Sequence, residues 1–356
     1  MSDLIRYRRA IAALLGAVCA PLAVTTPPDL ADFADAGGLI LRGHLAEVYA
    51  NAWNQAGPVQ LLISRLLVAA GHPDGTPALP VIVLTGAAMV AGAMWLCRGS
   101  LRRELFAALL ALLWVLAPLP WNGHPAELAI PVLWAYSVKL GRDRRELAAV
   151  AALALGVAIA PWAILGIPCL LAAAPWRRAL PAGAVAAALG AASYLPFVLT
   201  GHFAMFRLKW GFSAGTLPSL LHLHDVTWGL RLAQGAIVAG GVALIALRCR
   251  RDPRAVALVP LAAGLLRVAT DPIYYPYYWF PVAVSSVLLL AVDRRRPVLA
   301  GLIGYLAALA ESGNWTVGGS LGCLALVVFL AVTGRTDVAG KSGETEATFP
   351  AVAATR

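Results

Sequence analysis

A chain of 356 residues with 60% hydrophobic and only 13% charged side chains cannot cover a globular surface in water, where soluble domains carry roughly 25% charged residues. With a mean hydropathy of +0.76, this excludes a soluble enzyme, a disordered chain and a small secreted scaffold, and it leaves an all-α polytopic membrane protein. The net charge of +10 points to nucleic acid only until the charges are placed along the chain.

Crossing roughly 30 Å of hydrocarbon takes about 20 apolar helical residues. In chain order, candidate spans cover 10–25, 77–97, 104–119, 126–139, 147–159, 161–174, 180–199, 228–247, 255–270, 278–292, 298–311 and 316–333. That makes about twelve, several of them short. The first follows Arg6, Arg8 and Arg9 and is not succeeded by an A-x-A-like cleavage site, so it reads as a span rather than a leader. Cys19, Cys97, Cys169, Cys249 and Cys323 fall in or beside these runs with no CxxC pair. That argues against a disulfide framework or a zinc site.

Lysine and arginine set the orientation. With the N-terminus in the cytoplasm, alternation through twelve spans puts 22 of the 28 basic residues inside. The outside segments and span ends hold Arg42, Arg65, Arg207, Lys209, Arg231 and Arg267, together with all six histidines. The positive charge is therefore mainly topology, and no nucleic-acid partner is expected. Residues 147–174 test the count, being 28 long. A single span there would move every later basic loop outside. Two short helices broken at Ala160-Pro161-Trp162 keep the parity, and such a break must be buried in protein or line a cavity.

The longest outside loop is 26–76, followed by 200–227. Asp29–Gly43 reads as a helix ended by its glycine. Gly57–Gly71 reads as an amphipathic helix in the interface, carrying Arg65. The spans form one transmembrane domain over 1–333, with 26–76 as its catalytic loop. The polar tail 334–356 is expected to be disordered and cytoplasmic. The sequence shows neither a repeat of 20–50 residues nor inverted halves.

Asp29, Asp32 and Asp35 follow the first span at i, i+3 and i+6, on roughly one helical face. They read either as a cap and first-turn acids after Pro27-Pro28 or as a general base with a second carboxylate that holds a substrate hydroxyl. Arg267, in Leu265-Leu266-Arg267-Val268-Ala269-Thr270-Asp271, reads as an anion ligand at a span end, as the i, i+4 partner of Asp271, or as a snorkelling side chain. Arg231 is similar, whereas Arg207, Lys209 and Arg65 read as interfacial anchors. In Trp121-Asn122-Gly123-His124-Pro125-Ala126-Glu127, His124 and Glu127 either bind sugar hydroxyls or phosphate or simply form a capped turn. His222-x-His224-Asp225 with His202 lacks a firm further ligand, so no metal is expected. The run Ile273-Tyr274-Tyr275-Pro276-Tyr277-Tyr278-Trp279 is an interface belt by position, and its rings could equally stack on sugars.

Asp29-x-x-x-Phe33…Gly43, then Val48-Tyr49, then Gln55-x-Gly57-Pro58-x-Gln60 resembles the start of the C-type glycosyltransferases. It is most similar to glycosyltransferase family 87, the polyprenol-phosphate-mannose-dependent mannosyltransferases. Phe33 stands where that family usually has Tyr, and Gln55-Ala56-Gly57-Pro58 replaces a Tyr-x-Pro-like element. The resemblance is confined to about residues 25–65. It implies an integral-membrane enzyme that moves a sugar, most plausibly mannose, from a polyprenyl-phosphate donor to a lipid-linked or cell-envelope acceptor. The reaction would take place on the outer face of a bacterial cytoplasmic membrane, with both termini in the cytoplasm. Asp29 matches the family's catalytic-loop acid, with Asp32 as a candidate second carboxylate. The leaving lipid phosphate is already anionic, so it needs positive charge rather than a general acid. Arg267, Arg231 and His124 are the candidates for that role, and Tyr274, Tyr277, Gln55 and Glu127 are candidate substrate contacts. No cofactor is expected. The rival readings are a secondary transporter or lipid flippase, and a transferase-like assembly protein without activity. The clustering of polar residues at one face favours the enzyme over the transporter.

Overall fold

The computed structural model describes residues 2–24, 28–68, 75–116, 123–222, 224–293, 297–311 and 316–333. The expected tail 334–356 and the basic loop at 294–296 lie outside them. Regular structure in the described residues is helical, apart from one isolated antiparallel bridge between Gly211 and Asp225.

The chain begins with α1 (Ser2–Ala23), then α2 (Pro28–Leu41), α3 (Leu45–Val48) and α4 (Pro58–Val68). Next come α5 (Leu79–Leu96), α6 (Leu101–Leu116), α7 (Pro125–Arg142) and α8 (Glu146–Ile159). A 3-10 helix over Pro161–Ala172 precedes α9 (Trp176–Ala192) and α10 (Leu195–Leu199). The last helices are α11 (Trp228–Arg248), α12 (Ala255–Thr270), α13 (Phe280–Val292), α14 (Pro297–Glu311) and α15 (Val317–Thr333). α12 is buried on all sides from Ala255 to Ala269 and forms the centre of the bundle. Among the described residues, α5 and α11 are long and apolar enough to cross a membrane, and α4, α8, α12 and α15 are among the shorter apolar helices, of 10–17 residues. The helix expected over Asp29–Gly43 is α2, and Gly43 ends it with φ +77°, the left-handed conformation glycine takes at a helix stop.

The expected break at Ala160 is present. Ala160 is extended, with φ −153° and ψ 139°, and the chain reverses there. Arg178 meets Glu146 and Tyr194 reaches the Val157 carbonyl, so α9 runs alongside α8 in the same direction. The segment between them runs the opposite way. That return leg is a 3-10 helix of 12 residues rather than the α-helix the apolar run suggests. The winding has a consequence. At about 2.0 Å rise per residue the leg covers roughly 24 Å, against roughly 18 Å as an α-helix, so a short segment spans more of the bundle.

A 3-10 helix eclipses residues three apart. Ala163, Gly166, Cys169 and Ala172 make one such row, and all four are buried. This small-residue row lets Trp134 of α7 come in close, with its indole N–H donating to the Ala163 carbonyl at 3.1 Å. A Cβ on Gly166 would fall inside that indole ring. Gly166→Ala is therefore expected to cost about 1–3 kcal/mol through overpacking, read as a lower melting temperature in detergent. An unchanged melting temperature would mean that Trp134 is free to move.

At one end of the bundle, arginines fasten the loops. Glu104 is buried and binds Arg8 and Arg9, each at 2.7 Å. Arg103 donates to the Leu290 and Ala291 carbonyls at the end of α13. Arg142 donates to the carbonyls of Ala172, Arg250 and Asp252, and Arg254 binds Asp252 and Asp293. At the other end, Phe33, Tyr49, Tyr194, Phe197 and Met205 form a second core under the two long loops.

Candidate active site

α2 buries Leu30, Phe33, Ala34 and Gly37 against its neighbours. At 3.6 residues per turn, Asp29 shares the edge of that face with Phe33, four positions on. Asp32 and Asp35 lie about 60° and 120° further round and are exposed. The three acids expected on one face therefore separate, and Asp32 does not line the cavity described next. Its carboxyl titrates above the usual range, because of partial desolvation and then the charges of Asp29 and Asp35.

A cavity of about 210 Å³ opens beside Asp29. Its walls come from α2, the segment after α3, the start of α7, the Ala160 break, α11, α12 and the aromatic run before α13. Gly57 N–H donates to the Ile159 carbonyl at 2.9 Å, so the first loop is pinned to the break and Gln55 and Ala56 face the cavity. Tyr49 and Asn54 brace the same turn by donating to the Ala56 and Val48 carbonyls. On the other side, Gly123 takes φ +89° and sits so close that a Cβ would lie 2.7 Å from Leu30 N. Gln60 donates to its carbonyl at 3.0 Å. This turn carries His124, the residue before α7, to Asp29.

His124 Nε2 lies 2.9 Å from Asp29 Oδ2. An ionised carboxylate only accepts, so Nε2 is the donor. The imidazole is stacked on Tyr277, with centroids 3.7 Å apart and planes 15° from parallel, and edge-on to Phe33. Tyr277 in turn stacks on Tyr275, and Phe33 on Trp53, which gives the cavity two aromatic walls. Burial, and then neighbouring charges that include Asp29, raises both the Tyr275 and the Tyr277 phenol above its usual range.

Two ion pairs close the far side. Arg267 Nη1 donates to Glu127 Oε2 at 2.7 Å, and both side chains are almost fully buried. The guanidinium is clamped between rings, 3.9 Å from the Trp162 centroid and 4.2 Å from that of Tyr278. Arg231 Nη1 donates to Asp271 Oδ1 at 2.9 Å and to Gln234 Oε1, while Gln234 donates to the second Asp271 oxygen at 3.0 Å. The i, i+4 pairing of Arg267 with Asp271 is thus replaced by a contact across 140 residues. A guanidinium has five N–H groups. Arg267 makes one side-chain hydrogen bond and Arg231 two, all from Nη1, which leaves N–H groups on each for a further oxyanion.

Asp29, His124, Glu127, Arg231, Arg267, Gln55 and Tyr277 meet in this one cavity. Tyr274 does not line it. Its hydroxyl donates to the Ala310 carbonyl at 2.8 Å; Tyr275 is extended, with φ −125° and ψ 140°, so these two neighbours point to opposite sides, and Tyr275, Tyr277 and Tyr278 line the cavity. Trp53, Gln60, Trp162 and Trp210 also line the site; Gln60 belongs to the first-loop motif and Trp162 to the expected break, whereas the sequence does not single out Trp53 and Trp210 as site residues. Among the described residues, no group of three or more His, Cys, Asp or Glu side chains is placed to hold a metal ion. Arg231, Arg267, Trp162, Gln55 and Tyr278 also border a second cavity of about 280 Å³, which runs on toward Phe206 and Trp228. Compared with known protein families, curated proteins and solved structures, the chain matches none.

Proposed function

We propose that the chain is an integral-membrane glycosyltransferase that moves a sugar, mannose by the family resemblance, from a polyprenyl-phosphate donor to a lipid-linked or cell-envelope acceptor. The observation that carries this reading is one cavity with a carboxylate–histidine pair at one end and two arginines at the other. The acceptor hydroxyl oxygen attacks the anomeric carbon on the face opposite the phosphate. Its proton passes to Asp29, and the anomeric C–O bond breaks. The bonding electron pair leaves on the lipid phosphate, where Arg231 and Arg267 stabilise the charge. His124 holds one Asp29 oxygen and leaves the other for the acceptor. The aromatic walls present flat apolar faces on which sugar rings stack.

In this reading the helices cross a bacterial cytoplasmic membrane about twelve times, with both termini in the cytoplasm. Large apolar side chains exposed on successive helices support it, among them Leu84, Leu147 and Leu232 at 68%, 88% and 71% exposure. So does the collection of arginines at the end opposite the cavity. Ala214→Cys in the second long loop is expected to react with an impermeant maleimide on intact cells, and Arg177→Cys only after permeabilisation. The reverse pattern would invert the topology and put the cavity in the cytoplasm.

Nanodisc-embedded protein given polyprenyl-phosphate mannose and a panel of glycan and glycolipid acceptors tests the reaction. Mass spectrometry is expected to find mannosylated acceptor and free polyprenyl phosphate in equal amounts. Donor that binds and stays intact with every acceptor would point to the inactive assembly protein instead.

A further inference from the structure

Asp271 carries a buried charge to which the transfer step gives no task. It is the C-cap of α12, and three donors hold its carboxylate. The Ile273 N–H and Arg231 Nη1 meet Oδ1 at 3.0 and 2.9 Å, and Gln234 Nε2 meets Oδ2 at 3.0 Å. The Ser213 N–H fixes the same turn by donating to the Pro272 carbonyl at 3.0 Å. Two of the three donors are independent of the arginine, so the carboxylate keeps its place when Arg231 turns away. The two arginines differ in freedom. The Arg267 side chain is 6% exposed and is held between Trp162 and Tyr278. The Arg231 side chain is 26% exposed, is bonded through Nη1, and borders both cavities.

We propose that Asp271 is a resident competitor of the phosphate for Arg231. The guanidinium turns from Asp271 to the donor phosphate, and it returns to Asp271 as the lipid phosphate departs, which speeds product release. Asp271 is thus a positioning residue that acts through Arg231, a role that rests on the transferase reading. The change of charge during transfer creates the need. A phosphodiester donor carries a single negative charge, whereas a phosphomonoester product carries about 1.5–2 near neutral pH. Cations placed to stabilise the departing charge therefore hold the product more tightly than the donor. A carboxylate fixed beside one of those cations offsets the difference. Glu127 does not serve in the same way, because the rings around Arg267 keep that guanidinium where it is.

The test measures lipid binding to the full chain in phosphatidylcholine nanodiscs by native mass spectrometry. Undecaprenyl phosphate is the product probe, and its methyl ester is a diester with the charge of the donor. Asp271→Asn removes the charge and keeps an acceptor for the Ile273 N–H. Undecaprenyl phosphate is expected to bind this variant about tenfold more tightly than wild type, the scale of one charge-assisted hydrogen bond no longer surrendered. It should also dissociate correspondingly more slowly. The methyl ester should gain less, because it carries less charge for the lost carboxylate to repel. Asp271→Glu, which keeps the charge, should return product affinity toward that of wild type. A purely architectural Asp271 predicts the opposite sign, since Arg231 would lose its support and product affinity and folded yield would fall together. Unchanged or weaker binding of undecaprenyl phosphate to the folded Asn variant would overturn the competitor while leaving the transferase reading standing. Equal gains by the two lipids would overturn its selectivity for product. If Asp271→Asn does not fold, Asp271→Ser, whose hydroxyl accepts from an N–H two residues on, reads the same affinities. Failure of both to fold would make Asp271 architectural and overturn its role in release. Wild type that binds neither lipid would remove the transferase reading as well.

Discussion

Asp29→Asn is expected to lower sugar transfer by about 10²–10⁴-fold, the range general-base catalysis supplies, with normal yield and donor binding. Asparagine has the same size and keeps an oxygen for the His124 N–H. The change therefore removes the proton acceptor and leaves the wall in place. The Asp29 side chain is 31% exposed, open enough for an acceptor hydroxyl to reach it. Asp32→Asn is the internal control. Asp32 faces away from the cavity, so its loss should change transfer no more than a few-fold. Near-wild-type transfer by Asp29→Asn, with loss in Asp32→Asn, would move the base one helical turn along. If neither substitution mattered in a working assay, the resemblance in the first loop would carry no function.

Arg267→Ala should reduce folded protein before any assay of binding is possible. It strands Glu127, whose side chain is 3% exposed, and breaking a buried pair by removing one partner costs about 3–5 kcal/mol. It also empties the space between Trp162 and Tyr278. Replacing both partners separates structure from function. Glu127→Gln with Arg267→Gln leaves two neutral amides that can hydrogen-bond each other, and stability should recover most of the loss. Donor binding should not recover, because the cation is gone. A double variant that folds and binds polyprenyl phosphate as tightly as wild type would show the pair to be purely architectural. Arg231 would then be the only phosphate ligand of the two.

Much of the helix order was legible because charge punctuates it. Basic clusters and proline-bearing turns fall close to the helix ends, and the break at Ala160 followed from parity alone. The 3-10 winding of its second half was not read, since hydropathy registers an apolar run and not its pitch. Ala163, Gly166, Cys169 and Ala172 do carry the signal, as small residues spaced by three. Seven of the candidate residues meet in the cavity, but Asp32 and Tyr274 do not line it, Trp53 and Trp210 were not singled out, and the pairings were not legible. Local spacing joined Arg267 to Asp271, whereas the contact with Glu127 depends on α7 packing against α12. Helical spacing also put Asp32 beside Asp29, although a 3.6 period separates them as soon as one face is buried. Tyr274 and Tyr275 are equivalent in the sequence. The extended backbone at Tyr275 sends the two to opposite sides, and only the packing of the folded chain decides which faces the cavity and which faces α14.

In the proposed transfer, one cavity holds a lipid phosphate at its arginine end and an acceptor hydroxyl at Asp29. The most direct measurement is an electron cryomicroscopy map of the nanodisc-embedded protein saturated with polyprenyl phosphate. Phosphate density is expected within hydrogen-bond reach of both Arg231 and Arg267, with the cavity beside Asp29 open to the acceptor. Phosphate density on the opposite arginine cluster around Arg142 and Arg254, with none at Arg231 and Arg267, would contradict it.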